Sequence, residues 1–413
     1  MAPLVPPAIT ITNVQLNEGS SVARVIYDLD AASDCEVSLR VSLDGCVTFV
    51  EGPLITDGHI GKNIHPGTGL TIHWNYSGIA NIELVTIEVI ADDGSAPDIQ
   101  AMVDQVDGRT LMQSLERIAI PRHHLAAPEG LAAVRDLIMN TFAQLDLQTA
   151  THIATIPSAK GENLLGRKTG LMDPAHTYIV DGHYDAVPAS PGADDNGTAV
   201  AAMLEVARVL SQYQFRHSLQ FIGFCFEEEG IAGSQQYVEN GMAPGEKIHG
   251  VLNMEMIGCY SDLPNSQNTP AGFDLLFPAA NAELQANEFR GDFLTVVGNT
   301  VSDPLNKTFV AAMDRYVPQL KRIALTVPGN GEMVPDLRRS DHSSFWDANI
   351  PALMLSDGSN FRNTNYHLPT DDVSAIDAEF FTNCTKAVLA AAATLAVPMN
   401  AGSDRYSLID LME

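Results

Sequence analysis

The 413-residue chain is short of positive charge, of cysteine and of aromatic residues. Its 23 lysines and arginines stand against 51 aspartates and glutamates, a formal net charge of −28. A field of that sign repels phosphate backbones and anionic membrane surfaces, so neither is an expected partner. The five cysteines are odd in number and form no CxxC pair, and they leave the redox compartment open. No run of about 18 apolar residues occurs, so no membrane span is expected. The opening MAPLVPPAIT has neither a basic start nor an apolar centre and does not read as a signal peptide. A GxSxG elbow, a Walker-type phosphate loop and a GxGxxG turn after a strand are also missing, which sets aside serine hydrolases and nucleotide-binding enzymes.

What is present is globular, with 45% hydrophobic residues and a length that suits two domains. Residues 8 to about 94 read as all-β. Segments such as ITITNVQL, SVARVIYDL, CEVSLRVSL, CVTFV and IELVTIEVI are short and β-branched, and turns such as Asp44-Gly45 separate them. Their alternation predicts a β-sandwich with Trp74 in its core. From about Asp98 helical runs alternate with buried-looking strands, which predicts an α/β domain with helices on both faces of its sheet. The expected division is therefore 1–97 and 98–413. Cys35 and Cys46 flank a strand-like run and are candidates to pair, whereas Cys225, Cys259 and Cys384 sit in apolar surroundings as buried thiols.

In open α/β sheets ligands bind beyond the carboxyl ends of the strands. His183 follows an apolar run ending at Asp181, and Glu227-Glu228 follow LQFIGFCF. Glu255 closes GVLNMEM, and His367 lies in the loop after PALMLSD. Four strand ends thus offer imidazole or carboxylate to one rim. Zinc takes both donor types, and its catalytic sites keep a position open for water. Two ions about 3.5–4 Å apart can share a bridging carboxylate. A further, unligated carboxylate would accept the proton of the bound water. The adjacent pair Glu227-Glu228 suits that division, because neighbours at a strand end point in different directions. Asp185, two residues after His183, is placed to accept the second ring N–H and fix the tautomer.

The motifs GHYD, GADDNGTA, FEEEGIAGS, NMEMIG, RRSDHSSFW and NYHLPTDD follow one another between about Leu125 and Ala396. Together they resemble the M28 metallopeptidase family, the co-catalytic zinc aminopeptidases of bacterial secreted type and their relatives. The resemblance implies a mixed sheet flanked by helices, two zinc ions and peptide substrates with a free N-terminus. By motif it implies His183, Asp195, Glu228, Glu255 and His367 as ligands. Asp195 would bridge, His183 and Glu255 would complete one ion, and Glu228 and His367 the other. Glu227 would be the general base and Tyr366 the oxyanion donor. Arg339 falls where some members hold the substrate's amino group through the main chain.

In one place the chain departs from the commonest pattern. Many aminopeptidases of the family carry aspartate where Glu255 stands, and glutamate occurs there in glutaminyl cyclases and some carboxypeptidases. The alternative is therefore a carboxypeptidase or a glutaminyl cyclase-like acyltransferase on the same fold. Arg362, near the rim, would meet a substrate carboxylate or balance the charge of the site. Asp194 is read as a loop-capping residue, His342 as a hydrogen-bonding residue behind the ligands, and Glu229 as solvated. His123 and His124 read as structural or exposed, and Gly197 as permitting close approach of the following helix. The N-terminal half resembles β-sandwich modules appended to bacterial exported enzymes, which implies a secreted or periplasmic location.

Overall fold

Alternation along the N-terminal strands sorts their side chains onto two faces. In Val22–Asp30, Ala23, Val25, Tyr27 and Leu29 point inward while the residues between them stay wetter. The computed structural model describes residues 4–17, 19–43, 49–51 and 56–411. Cys46 and the turn at Asp44-Gly45 lie outside them, and so does any pairing of Cys46 with Cys35. One antiparallel sheet has the order Ala8–Asn17, Val22–Asp30, Gly67–Asn75, Thr56–Gly58. The second has the order Ala401–Ser407, Thr86–Asp92, Cys35–Ser42, Val50–Glu51, with Gly61–Ile64 also on Cys35–Ser42. Their inner faces share one apolar core that includes Val25, Val37, Ile72, Ile87 and a fully buried Trp74. The strand Ala401–Ser407, which the 98–413 expectation groups with the α/β part, runs antiparallel to Thr86–Asp92 inside this sandwich.

Among the described residues, eight strands form the central sheet. Their order is Lys321–Val327, Phe293–Asn299, Ala352–Ser356, Lys247–Met254, Asp173–His183, His217–Phe224, Ala159–Lys168, Gln148–Ile156. The four neighbours from Ala352–Ser356 to His217–Phe224 are mutually parallel, and antiparallel strands flank them. These four read as near-continuous apolar runs because both faces are covered. Val180, Leu252 and Phe221 pack into a core with the helices Pro128–Gln144, Ala199–Leu210, Asp303–Tyr316 and Ala378–Ala396. Ile179, Val251 and Ile222 pack on the opposite face with the helices Pro278–Ala286 and His342–Asp347. Four parallel strands therefore end on one rim, side by side.

The sandwich is joined to the other end of this sheet. Arg40, buried and paired with Glu88, donates to the Gly170 carbonyl at 3.0 Å, and Arg216 pairs with Glu36 at 2.7 Å. Gly170 and Arg216 precede the strands Asp173–His183 and His217–Phe224, so the contact lies away from the strands' carboxyl ends. No described helix is long and apolar enough to cross a membrane.

Candidate metal centre

The four parallel strand ends deliver the residues in question. His183 is the last residue of Asp173–His183, and Glu227 and Glu228 lie in the turn after His217–Phe224. Glu255 directly follows Lys247–Met254, and His367 lies in the loop beyond Ala352–Ser356. Asp195 comes from the turn 193–198 that leads into helix Ala199–Leu210. Phe226, Met256 and His367 adopt left-handed backbone conformations at φ 58°, 54° and 61°. For non-glycine residues that costs energy, and such residues gather where side chains must be aimed.

Among the described residues, two of the groups of potential ligand atoms share Asp195. His183 Nε2 lies 3.3 Å from Asp195 Oδ1 and 3.6 Å from Glu255 Oε2. His367 Nε2 lies 3.1 Å from Asp195 Oδ2 and 3.3 Å from Glu228 Oε2. Two ligands held at about 2.0–2.1 Å on a tetrahedral ion are separated by roughly 3.3–3.4 Å, so these spacings match the edges of such a polyhedron. His183 Nε2, His367 Nε2 and Glu228 Oε1 are buried without a hydrogen-bond partner. Orphaned donors and acceptors of this kind are costly unless something binds them. The residues fit a zinc ion on both grounds.

The electrostatics agree. Burial pushes the Glu228 carboxyl up to about 7, helped by the Asp195 charge, and burial raises Glu227 well above the usual carboxylate range. Burial also opposes charge on Asp195, but the imidazoles of His183 and His367 beside it pull its carboxyl below the ordinary value. Burial opposes charge on His367 too, yet Asp195 and Glu228 raise it to about 9. So many carboxylates at one rim repel one another and call for cations.

Behind the ligands, Asp185 is buried with its carboxylate 3.5 Å from His183 Nδ1, though its own carbonyl lies nearer, at 3.2 Å. The same carboxylate accepts the main-chain N–H groups of Glu227 and Glu228, both at 3.3 Å. Ser340 donates to Glu255 Oε2 at 2.7 Å. Glu227 Oε2 stands 3.8 Å from His183 Nε2 and belongs to neither ligand group. The Tyr366 ring stacks on His367, with centroids 3.7 Å apart, and its hydroxyl accepts from Arg339 Nη2 at 2.8 Å.

Arg362 is not at the rim. It is 6% exposed and donates to Gln267 Oε1 at 2.8 Å, the Cys259 carbonyl at 3.0 Å and the Phe293 carbonyl at 2.8 Å. Buried, and donating from Nε, Nη1 and Nη2 to groups inside the protein, it does not meet a substrate carboxylate as expected. Asp194 accepts from Gly258 N–H and Asn363 Nδ2, which orients it away from both ligand groups. His342 Nε2 lies 2.9 Å from the Leu337 carbonyl and Nδ1 3.2 Å from Asn253, behind the site. Gly197 leaves room for the Gly192 carbonyl, which a Cβ would approach to 2.8 Å.

Two other histidine groups fit an ion poorly. His123 Nδ1 accepts the N–H groups of Leu125 and Ala126, so its Nε2 carries the proton and donates toward Glu229, 3.4 Å away. His176 lies between the rings of His217 and His249, with centroids 3.9 Å and 3.4 Å away. Rings stacked face to face cannot both point in-plane lone pairs at one ion.

Two residues that sequence reasoning missed hold the Asp195 loop. Arg122 is fully buried and faces six main-chain carbonyls, those of Ile118, Ile120, Tyr184, Pro191, Gly192 and Asp195. Asp371 accepts the N–H groups of Asp194 and Asp195 at 3.0 and 3.1 Å. A lone arginine in IPRHH carries no signal, whereas Asp371 stands in the quoted NYHLPTDD and was readable there.

Beside Glu255, Tyr366 and Arg339 a pocket opens whose wall is largely apolar, with Phe293, Ile323, Leu325, Met354 and Phe361.

A mixed α/β sheet with histidine and carboxylate gathered on the ends of its parallel strands defines a zinc metallopeptidase architecture. Residues 163–392 match the model of peptidase family M28, and the chain belongs to that family. It is 30% identical over 217 residues to the uncharacterized protein YfbL of Escherichia coli, covering 48% of this chain and 61% of that protein. It is 24% identical over 336 residues to a probable zinc metalloprotease of Pyrenophora teres, covering 72% and 68% of the two chains. Among solved structures, the LapA aminopeptidase of Legionella pneumophila aligns with a TM-score of 0.56 at 20% identity, over 72% of this chain and 73% of that one. A Bacteroides thetaiotaomicron glutaminyl cyclase aligns at 0.50 and 15%, over 72% and 98%. At these identities the two structures show a shared fold.

Proposed function

We propose that the chain is a two-zinc aminopeptidase that removes N-terminal residues with large apolar side chains. The observation that carries this reading is the two-sided setting of Asp195, whose Oδ1 faces His183 Nε2 at 3.3 Å and whose Oδ2 faces His367 Nε2 at 3.1 Å. His183 and Glu255 would complete one zinc site, Glu228 and His367 the other. Bound zinc supplies Lewis acidity and lowers the pKa of water. Glu227, outside both ligand groups, accepts the proton of the attacking water and returns it to the leaving amine. Tyr366 accepts its hydrogen bond from Arg339 and so keeps its own O–H free to donate to the developing oxyanion. The apolar pocket receives the side chain of the first residue. Glu255 beside the pocket favours a cationic N-terminus, and the buried Arg362 is not there to hold a C-terminal carboxylate.

The test uses zinc-loaded protein and matched peptides beginning with leucine, free or N-acetylated, with products read by mass spectrometry. Stepwise loss of residues from the free peptide alone is expected, and Glu227→Gln should abolish it while leaving zinc content unchanged. Shortening of both peptides from the C-terminal end would make the enzyme a carboxypeptidase. Loss of ammonia from a glutamine-initiated peptide, with no hydrolysis, would make it a cyclase.

A further inference from the structure

The guanidinium of Arg122 touches three separate pieces of chain. Its Nε donates to the Tyr184 carbonyl at 2.9 Å, in the segment between His183 and Asp185. Its Nη2 donates to the carbonyls of Gly192 at 2.8 Å and Asp195 at 3.4 Å, and Nη1 to that of Pro191. Nη1 also reaches the Ile118 carbonyl at 3.2 Å, at the end of helix Gly108–Ile118. Asp371 holds the same loop through its N–H groups. The loop is thus gripped on its carbonyl side by a cation and on its N–H side by an anion, as the peptide dipoles require.

A buried cation could serve the fold alone. Its partners here say more. Two of them are the peptide groups next to His183 and of Asp195 itself, a ligand and the shared carboxylate of the proposed two-zinc site. Burial disfavours the charge on Arg122, and Asp195, Asp185, Asp371 and Glu228 oppose that effect in turn. Gly192 leaves the space the fork needs. It has φ +60°, and a Cβ there would lie 2.8 Å from Nη2, 2.9 Å from Nη1 and 2.3 Å from the Asp195 carbonyl.

We propose that Arg122 is a positioning residue of the metal centre. It fixes the main chain that carries Asp195 against the main chain that carries His183, and so sets the geometry in which one carboxylate serves two ions. This rests on the two-zinc reading. Only a planar fork with donors at Nε, Nη1 and Nη2 reaches all three segments at once, so lysine is no substitute.

The experiment titrates zinc into metal-free wild-type protein, Arg122→Lys and Gly192→Ala, using a competing chelator. Melting temperatures of the metal-free forms are recorded alongside, and cobalt-substituted samples are read by electron paramagnetic resonance for coupling between the ions. Wild-type protein is expected to bind two ions. Arg122→Lys should bind the pair about 10–100-fold more weakly, the usual cost of losing support behind a ligand, and show altered coupling. Gly192→Ala, which keeps the arginine but sets a Cβ against both the fork and the Asp195 carbonyl, should move both readouts the same way. It also stands in should Arg122→Lys fail to fold. A folded variant with wild-type zinc affinity and coupling, differing only in melting temperature, would overturn the proposal and leave Arg122 a residue of the fold. One ion per wild-type chain would overturn the two-zinc reading itself.

Discussion

At the scale of single residues, position in the chain and direction in space come apart around the site. Arg362 stands five residues before His367, yet it closes the turn Ser359–Phe361 with its guanidinium buried. Arg362→Met would strand the three oxygens it now satisfies. We expect a loss of about 3 kcal/mol in unfolding free energy, by the usual cost of leaving buried acceptors unpaired. Denaturant unfolding of the two forms measures it, and KM for a peptide should stay unchanged. Tyr366 is the converse case, since it lines the pocket and its hydroxyl is held by Arg339. Tyr366→Phe should lower kcat by about 10²–10³ with little change in KM, as removal of an oxyanion donor does. Steady-state kinetics on a leucine peptide decides that. His183, Glu228, Glu255 and His367 were legible because each follows an apolar strand within a short motif. Arg122 was not, because it acts on carbonyls whose place in space no local pattern records.

Among the elements, the strands of the central sheet carry titratable groups at both ends. At the starts of three neighbouring strands, His176 stacks between His217 and His249 and lies 3.4 Å from Asp173. Burial, with the two flanking imidazoles, holds His176 down to about 4, against about 6.5 for a free histidine. As pH falls the unfolded chain therefore takes up this proton first. The contribution to stability is whole above about pH 6.5 and is lost between there and pH 4. His176→Phe keeps an aromatic ring in the stack without a titrating group. Wild-type protein should lose melting temperature relative to this variant across that window and not above it, which calorimetry at a series of pH values would show.

For the molecule as a whole, the two halves are less separable than a boundary near residue 97 suggests. The strand Ala401–Ser407 returns from the catalytic part to pair with Thr86–Asp92, and Met172, Met399 and Ala401 pack on Ile90 across the junction. Removing residues 1–97 alone would leave Ala401–Ser407 as an unpaired edge and uncover those methionines. Such a truncated protein should aggregate. A version also lacking the last strand should stay more soluble, and size-exclusion chromatography compares them. Because the sandwich joins the end of the sheet away from the metal centre, the soluble version should keep kcat on short peptides within a few-fold.

The sequence by itself determined the parts and their order. Apolar runs, each followed by histidine or carboxylate, define strand ends and donor types, because hydrophobic periodicity and motif spacing are local properties. Tertiary structure alone decided which donors meet. Two adjacent aspartates have the same local chemistry, yet Asp195 turns to both histidines while Asp194 turns to Gly258 and Asn363. Likewise the last strand finds its partner beside Thr86–Asp92, and one buried arginine ties a helix end, a strand end and the Asp195 loop. Those choices are made by contacts between segments far apart in the chain, where the preference belongs to the pair and not to either segment.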